Sequence, residues 1–393
     1  MAAASESKAS NQHQFPCGQC GALLVYAPGT NFLRCGYCNN EEPVPAALTQ
    51  VREHDFQSAL KELKAAPRSE IVKQTVQVTR CDACGASFEF ENDIHSGECP
   101  YCGHPIVLET GAEKLFKPHS LLPFKITEAL ARKHFRRWVN GLWFAPTGIK
   151  KYTRDESRLS GLYLPYWTYD SQTTTHYIGE RGDVYQVPEQ VVQVIQGRRV
   201  VKTVMVTKIR WTPVRGVVSR FFDDVLIGAS RSLPRQITDR LNPWDLENLA
   251  PYQEEYLSGF GSQAYQVKLD EGFEYAREVM NGIIRGDIAR DIGGDAQRIH
   301  RFETKHSQTT FKHILLPIWT AGFRFKGRVF HFVVNGRNGK VQGERPYSPW
   351  KIAFAVLIGI VLLVGGFYLF EYYQYQQATP IELPRIPPGA YRY

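Results

Sequence analysis

The chain has 393 residues, with 47 Lys and Arg against 39 Asp and Glu, a formal net charge of +8. Its 43% hydrophobic and 12% aromatic content excludes a disordered or low-complexity polymer, and the length allows two or three domains with a sizeable core. The basic balance suits an anionic partner, either nucleic acid or a lipid headgroup surface, but no dense Lys/Arg tract chooses between them.

Residues 1–14 are polar, lack the apolar segment of a secretory signal, and read as a disordered lead. Beyond them, all 8 cysteines fall in four Cys-x-x-Cys pairs: Cys17/Cys20, Cys35/Cys38, Cys81/Cys84 and Cys99/Cys102. The gap between the second and third cysteine is the same in both halves, so the pattern is a repeated module with no thiol left over. Two residues between cysteines let a tight knuckle direct both sulfurs at one ion, and zinc favours a tetrahedron of thiolates. Glycine or another turn former follows most knuckles, and Ala22 to Tyr26 and Ser87 to Phe90 read as the short strands a ribbon needs. The competing readings are disulfides, which need an oxidising compartment, a redox dithiol, and iron–sulfur ligation. The expectation is two zinc ribbons, over 15–45 and 79–109, each holding one structural zinc ion. A site closed by four thiolates leaves no coordination position for substrate or water.

Residues 46–78, between the ribbons, read as a helical linker, with Leu48, Val51, Phe56, Leu60 and Leu63 at roughly helical spacing. Thr127 is placed to cap a helix running to about Val139, with Leu130, His134, Phe135 and Trp138 on a core-facing side. From about 160 the pattern becomes strand-like. Leu164-Pro165-Tyr166-Trp167-Thr168 and its near copy Leu316-Pro317-Ile318-Trp319-Thr320 suggest two related β-units in one sheet. Thr203 to Arg210 and Val217 to Ile227 read as further strands, Pro234 to Ile292 as largely helical, and Asn335-Gly336 and Asn338-Gly339 as tight turns. Residues 110–346 are thus expected to form one α+β domain on an antiparallel sheet.

Ile352 to Phe370 is an uncharged apolar run, flanked by Tyr347 and Trp350 on one side and Tyr372 and Tyr373 on the other. At about 1.5 Å per residue it matches a bilayer core of about 30 Å. In the twenty residues before it lie Arg337, Lys340, Arg345 and Lys351, and in the twenty after it only Arg385, so the positive-inside rule puts the N-terminal side in the cytoplasm and the proline-rich 371–393 tail outside.

No phosphate loop, nucleophile elbow or His-Glu-x-x-His motif occurs. Gly259-Phe260-Gly261-Ser262-Gln263-Ala264 matches a dinucleotide turn only loosely. Asp223-Asp224 is an acidic pair able to bind a cation but reads rather as a strand edge or turn, and His300, His306 and His313 are irregularly spaced. No catalytic constellation emerges.

The paired ribbons, Leu122-Pro123-Phe124, Leu164-Pro165-Tyr166-Trp167, Gly259-Phe260 before Tyr265, Leu316-Pro317-Ile318-Trp319, and the Asn335-Gly336 to Gly343 stretch before the span together carry a resemblance. They resemble a family of bacterial membrane proteins with transcription-factor-IIB-type zinc ribbons, often labelled as relatives of the primosomal protein N′ (replication factor Y) helicase. The resemblance implies a single-pass protein of the bacterial inner membrane, associated with flotillin-like or phage-shock membrane-stress proteins. The expected role is a membrane-anchored scaffold or adaptor, with a membrane-tethered nucleic-acid-binding protein as the alternative. Against the alternative, segments 15–42 and 79–105 hold only Arg34 and Arg80 as basic residues, beside Glu41, Glu42, Glu89, Glu91 and Glu98.

Overall fold

The computed structural model describes residues 15–47, 50–65, 75–80, 87–89, 96–98, 105–107, 111–114, 117–145, 159–195, 198–325, 328–344 and 347–377. Residues 1–138 and 156–344 form one compact unit, and 139–155 and 345–393 a second.

The first unit begins with a three-stranded antiparallel sheet of β1 (Leu24–Tyr26), β2 (Phe32–Cys35) and β3 (Glu41–Pro43). β4 (His54–Asp55) leads directly into α1 (Phe56–Ala65). Of the helical linker expected over 46–78, only α1 is helical among the described residues, since β4 pairs with a sheet strand instead. β5 (Thr75–Arg80), β6 (Ser87–Glu89) and β9 (Gly111–Lys114) form a small sheet, and β7 (Ser96–Glu98) and β8 (Pro105–Val107) a two-stranded one. Cys81, Cys84, Cys99 and Cys102 lie outside the described residues.

After β10 (Ser120–Leu121), α2 (Glu128–Asn140) starts where Thr127 accepts the Leu130 N–H (3.4 Å). Phe135 and Trp138 pack on Phe332 as expected of their face. Leu130 does not: it is exposed, because the side turned to the sheet is the one carrying Ala131 and Phe135.

The main sheet is built on β11 (Ser160–Ile195), β12 (Arg198–Gly228) and β15 (Ala296–Phe325), in the order β12-β11-β15 and antiparallel. The two strands expected at 203–210 and 217–227 are one, because Pro213 and Gly216 sit within a continuous pairing of β12 with β11. The near-copy motifs lie across from each other, Leu164 opposite Leu316, so the recurrence is an antiparallel pair about that point. β16 (Arg328–Asn335) and β17 (Val341–Gly343) extend the sheet through the Asn335-Gly336 turn.

Residues 234–268 are not largely helical. They hold α3 (Arg235–Asp239), two 3₁₀ turns, and two-residue strands β13 (Ala250–Pro251) and β14 (Gly261–Ser262). Ile237, Leu241 and Trp244 from this segment, with Leu233 just before it, cover Leu162, Leu164 and Tyr166 on one sheet face. α4 (Leu269–Ile292) covers the other. Its Ala276, Met280, Ile284, Ile288 and Ile292 recur every four residues and pack with Trp167, Tyr169, Tyr177 and Phe222. Burial of each large side chain there contributes roughly 1.5–3 kcal/mol.

In the second unit, α5 (Pro349–Gln377) is the helix long and apolar enough to cross a membrane, over Pro349–Tyr373. Its start is tied to the 139–145 segment: Ser348 N–H donates to Phe144 O (2.8 Å) and Lys351 Nζ to Ala145 O (2.7 Å).

Candidate metal centre and its mounting

Cys17, Cys20, Cys35 and Cys38 converge, with all four sulfurs within 4.8 Å of one another. Cys17 Sγ and Cys38 Sγ are 3.6 Å apart, and Cys20 Sγ and Cys35 Sγ 3.5 Å. A disulfide needs about 2.05 Å. Four thiolates on one ion at about 2.3 Å would be spaced by about 3.8 Å, close to what is seen.

The two knuckles have the same backbone chemistry. Gly21 N–H donates to Cys17 O (2.8 Å) and Asn39 N–H to Cys35 O (3.0 Å). Cys17 N–H donates to Ala22 O (2.7 Å) and Cys35 N–H to Asn40 O (2.8 Å). These turns need a residue with positive φ after the second cysteine, met by Gly21 (φ 74°) and Asn39 (φ 60°). The loops then aim N–H groups at sulfur. Desolvation raises the Cys17 thiol, but the amides of Gln19 and Cys20 outweigh it and bring it down to about 6. The amides of Cys38 and Tyr37 lower Cys35 in the same way. Cys17 and Cys35 are thus favoured as thiolates, the form a metal binds. At Cys20 and Cys38 the amides of Ala22 and Asn40 are outweighed by desolvation and the neighbouring sulfurs, which raise both thiols. Asn40 Nδ2 adds a contact to Cys17 Sγ (3.5 Å) and bonds Glu42 (3.1 Å), which also accepts the Gly18 N–H (2.8 Å).

The cluster is mounted on the body of its unit through β1. Tyr26, 2% exposed at the end of β1, packs edge-on to Tyr256 (5.1 Å) and Phe260 (6.3 Å). Its N–H donates to Ser258 O (3.0 Å), and Ser258 Oγ donates to Leu24 O (2.6 Å). Gly259 follows at φ 82°, so close to β1 that a Cβ there would lie 2.2 Å from Val25 Cγ1. Phe260 stacks on Phe124 (4.3 Å), and Phe124 meets Tyr163 and Trp319, each at 5.1 Å. Gly29 N–H donates to Phe124 O (2.8 Å). The Leu122-Pro123-Phe124, Gly259-Phe260 and Leu316-Pro317-Ile318-Trp319 motifs therefore share one task, forming the seat of the cysteine ribbon. Arg337, paired with Asp245, donates through Nη1 to Pro123 O (2.9 Å) and holds that seat from behind.

No family model and no solved structure matches the chain. It is similar to an uncharacterized protein, YdjG, of Bacillus subtilis (strain 168), 24% identical over 260 residues that make up 63% of this chain and 72% of that protein.

A second polar cluster lies on the main sheet. Lys312, 8% exposed along its side chain, lies 2.8 Å from Asp224 Oδ1 and 3.2 Å from Glu53 Oε1. Asp170 Oδ1 accepts the Asp224 N–H (2.7 Å), and the Thr310 hydroxyl sits 2.8 Å from Glu53 and 3.2 Å from Asp170. Burial, then a hydrogen bond to Glu53, pushes the Asp170 carboxyl up to about 6. Asp224 (φ 49°) and Gln308 (φ 51°) mark bulges in β12 and β15 on either side of Asp170. Asp224 is thus a bulge residue clamped by Asp170 and Lys312, more specific than the strand edge or turn expected. The signals in the sequence are the Asp223-Asp224 pair and a Lys just before the apolar run leading to Leu316. Of the three histidines, His313 is buried against Trp167 (4.7 Å), His306 Nδ1 lies 3.3 Å from Ser171, and His300 is 3.5 Å from Glu180. They do not converge.

Proposed function

We propose that this protein is a membrane-anchored zinc-ribbon scaffold that recruits cytosolic partners to the inner membrane. The observation that carries the reading is the mounting of the cysteine cluster. A four-thiolate set has no open position for chemistry, and here it is bolted to the sheet by Tyr26 while its far knuckle presents Tyr37, 84% exposed. A rigid, metal-closed knuckle with an exposed aromatic at its tip suits docking, since aromatic anchors dominate protein recognition. Cys81, Cys84, Cys99 and Cys102 repeat the spacing and would hold a second zinc ion in a second ribbon. The apolar α5, with basic residues before it, would fix the chain as a single-pass protein with its N-terminus in the cytoplasm.

The resemblance to ribbon-bearing membrane proteins makes flotillin-like or phage-shock proteins the partners to look for. Nucleic-acid binding is the second reading, favoured by the net charge of +8. In the described ribbon, however, Arg34 is already paired with Glu41. Crosslinking in intact cells, then purification from the membrane fraction, separates the two. Membrane-stress proteins without nucleic acid support the scaffold; DNA or RNA lost on neutralising basic residues of 110–346 overturns it.

A further inference from the structure

β11 and β12 continue together well past the point where β15 stops. The last β11–β15 pair is Gly182 with Ala296, whereas β11 and β12 stay paired to Ile195 and Arg198. Among the described residues, 183–195 and 198–210 therefore pair only with each other, as a two-stranded ribbon of about 43 Å at about 3.3 Å per residue. A lone two-stranded ribbon is at best marginally stable in water.

Its two faces differ in kind. Side chains alternate along each strand and cross-strand partners share a face. On one face lie Asp183 opposite Arg210, Tyr185 opposite Lys208, and Val191 opposite Lys202. On the other, Val184 opposes Ile209, Pro188 opposes Met205, and Val192 opposes Val201, with only Gln and Thr between them. That face carries no ionisable residue over ten positions, and all ten are exposed. Met205, Val192 and Val201 are 58–59% exposed, where an ordinary solvent-facing ribbon would be polar.

We propose that this uncharged face is the contact surface for a second copy of this chain, packed face to face across a two-fold axis. Ten positions, each more than a third exposed, offer on the order of 800 Å² per chain, the share each partner contributes to a stable standard interface. A face without charge buries none when it meets its own copy, whereas a basic or acidic partner would gain nothing from it.

Adjacent residues on one strand point to opposite faces, which gives the test its control. A photo-crosslinking amino acid is placed at Thr207, on the uncharged face, or at Lys208, on the charged one, in the full chain in native membranes. Irradiation at 207 gives a product of twice the 44.8 kDa chain mass containing this chain alone, and irradiation at 208 does not. In parallel, Met205→Glu with Ile209→Glu in the detergent-solubilised full chain weakens self-association at least about 100-fold at unchanged metal content. The inference is overturned by a lipid or foreign-protein adduct at 207, by no adduct there, or by equal products from both positions. A dimer that survives the double substitution, held through α5 instead, overturns it as well.

Discussion

The mounting of the cysteine ribbon on the sheet can be broken at Gly259. An alanine there meets two penalties. At φ 82° a Cβ costs about 1–2 kcal/mol relative to glycine. It also enters the space of Val25 Cγ1, at 2.2 Å, and the backbone cannot retreat freely because Ser258 is bonded to both Tyr26 N–H and Leu24 O. Overpacking of this kind adds about 1–3 kcal/mol. Gly259→Ala should therefore weaken the seating of β1 to β3 by about 2–5 kcal/mol. The assay is amide hydrogen exchange on the solubilised full chain, in which peptides from 15–47 exchange about 30- to 4,000-fold faster while those from α4 stay protected. Val25→Ala supplies the internal check. It removes the Cγ1 clash but leaves the φ penalty, so Gly259→Ala in that background should cost only about 1–2 kcal/mol, a coupling of about 1 kcal/mol or more. Unchanged exchange over 15–47, or strictly additive effects of the two substitutions, would show that the Val25–Gly259 approach does not hold the ribbon.

The native chain should bind two zinc ions by elemental analysis, and Cys17→Ser and Cys81→Ser should each lose one; unchanged stoichiometry in either would sink the assignment. The carboxyl of Asp170 titrates higher folded than unfolded, so its contribution is fully present below about pH 4 and is lost as pH rises through about 6. Asp170→Asn should therefore abolish the fall in the urea midpoint over that window, and an identical pH profile would remove Asp170 as its source. Arg337→Ala strands Asp245 and frees Pro123 O, which should cost roughly 1–3 kcal/mol in thermal or urea unfolding, with Arg337→Lys recovering only part.

Features set by neighbours along the chain are legible in the sequence. The Cys-x-x-Cys spacing with Gly21 and Asn39 behind it dictates each knuckle, because two intervening residues and one positive φ suffice to turn the backbone onto the sulfurs. The α5 run needs only its own length and lack of charge, and Thr127 marks the start of α2 by a bond three residues away. The segment 234–268 misleads because its apolar residues Ile237, Leu241 and Trp244 sit at helix-like intervals that the fold uses to cover a sheet. Leu130 misleads for a related reason: periodicity gives a face but not which neighbour it meets.

The tertiary structure alone decided what meets across distance. Glu53 reaches Lys312, Tyr26 reaches Ser258, and Arg337 reaches Asp245, contacts that no local pattern encodes because each depends on which strands pair and in what register. Gly259 is the plainest case. Its sequence context suggests a weak nucleotide turn, and its reason is a valine more than two hundred residues earlier that leaves no room for a side chain. The sequence by itself determined the cysteine knuckles of 17–40 and the apolar helix, whose energetics are local. The mounting of the ribbon and the length and bare face of the β11–β12 pair came only from packing, where burial and register outweigh local preference.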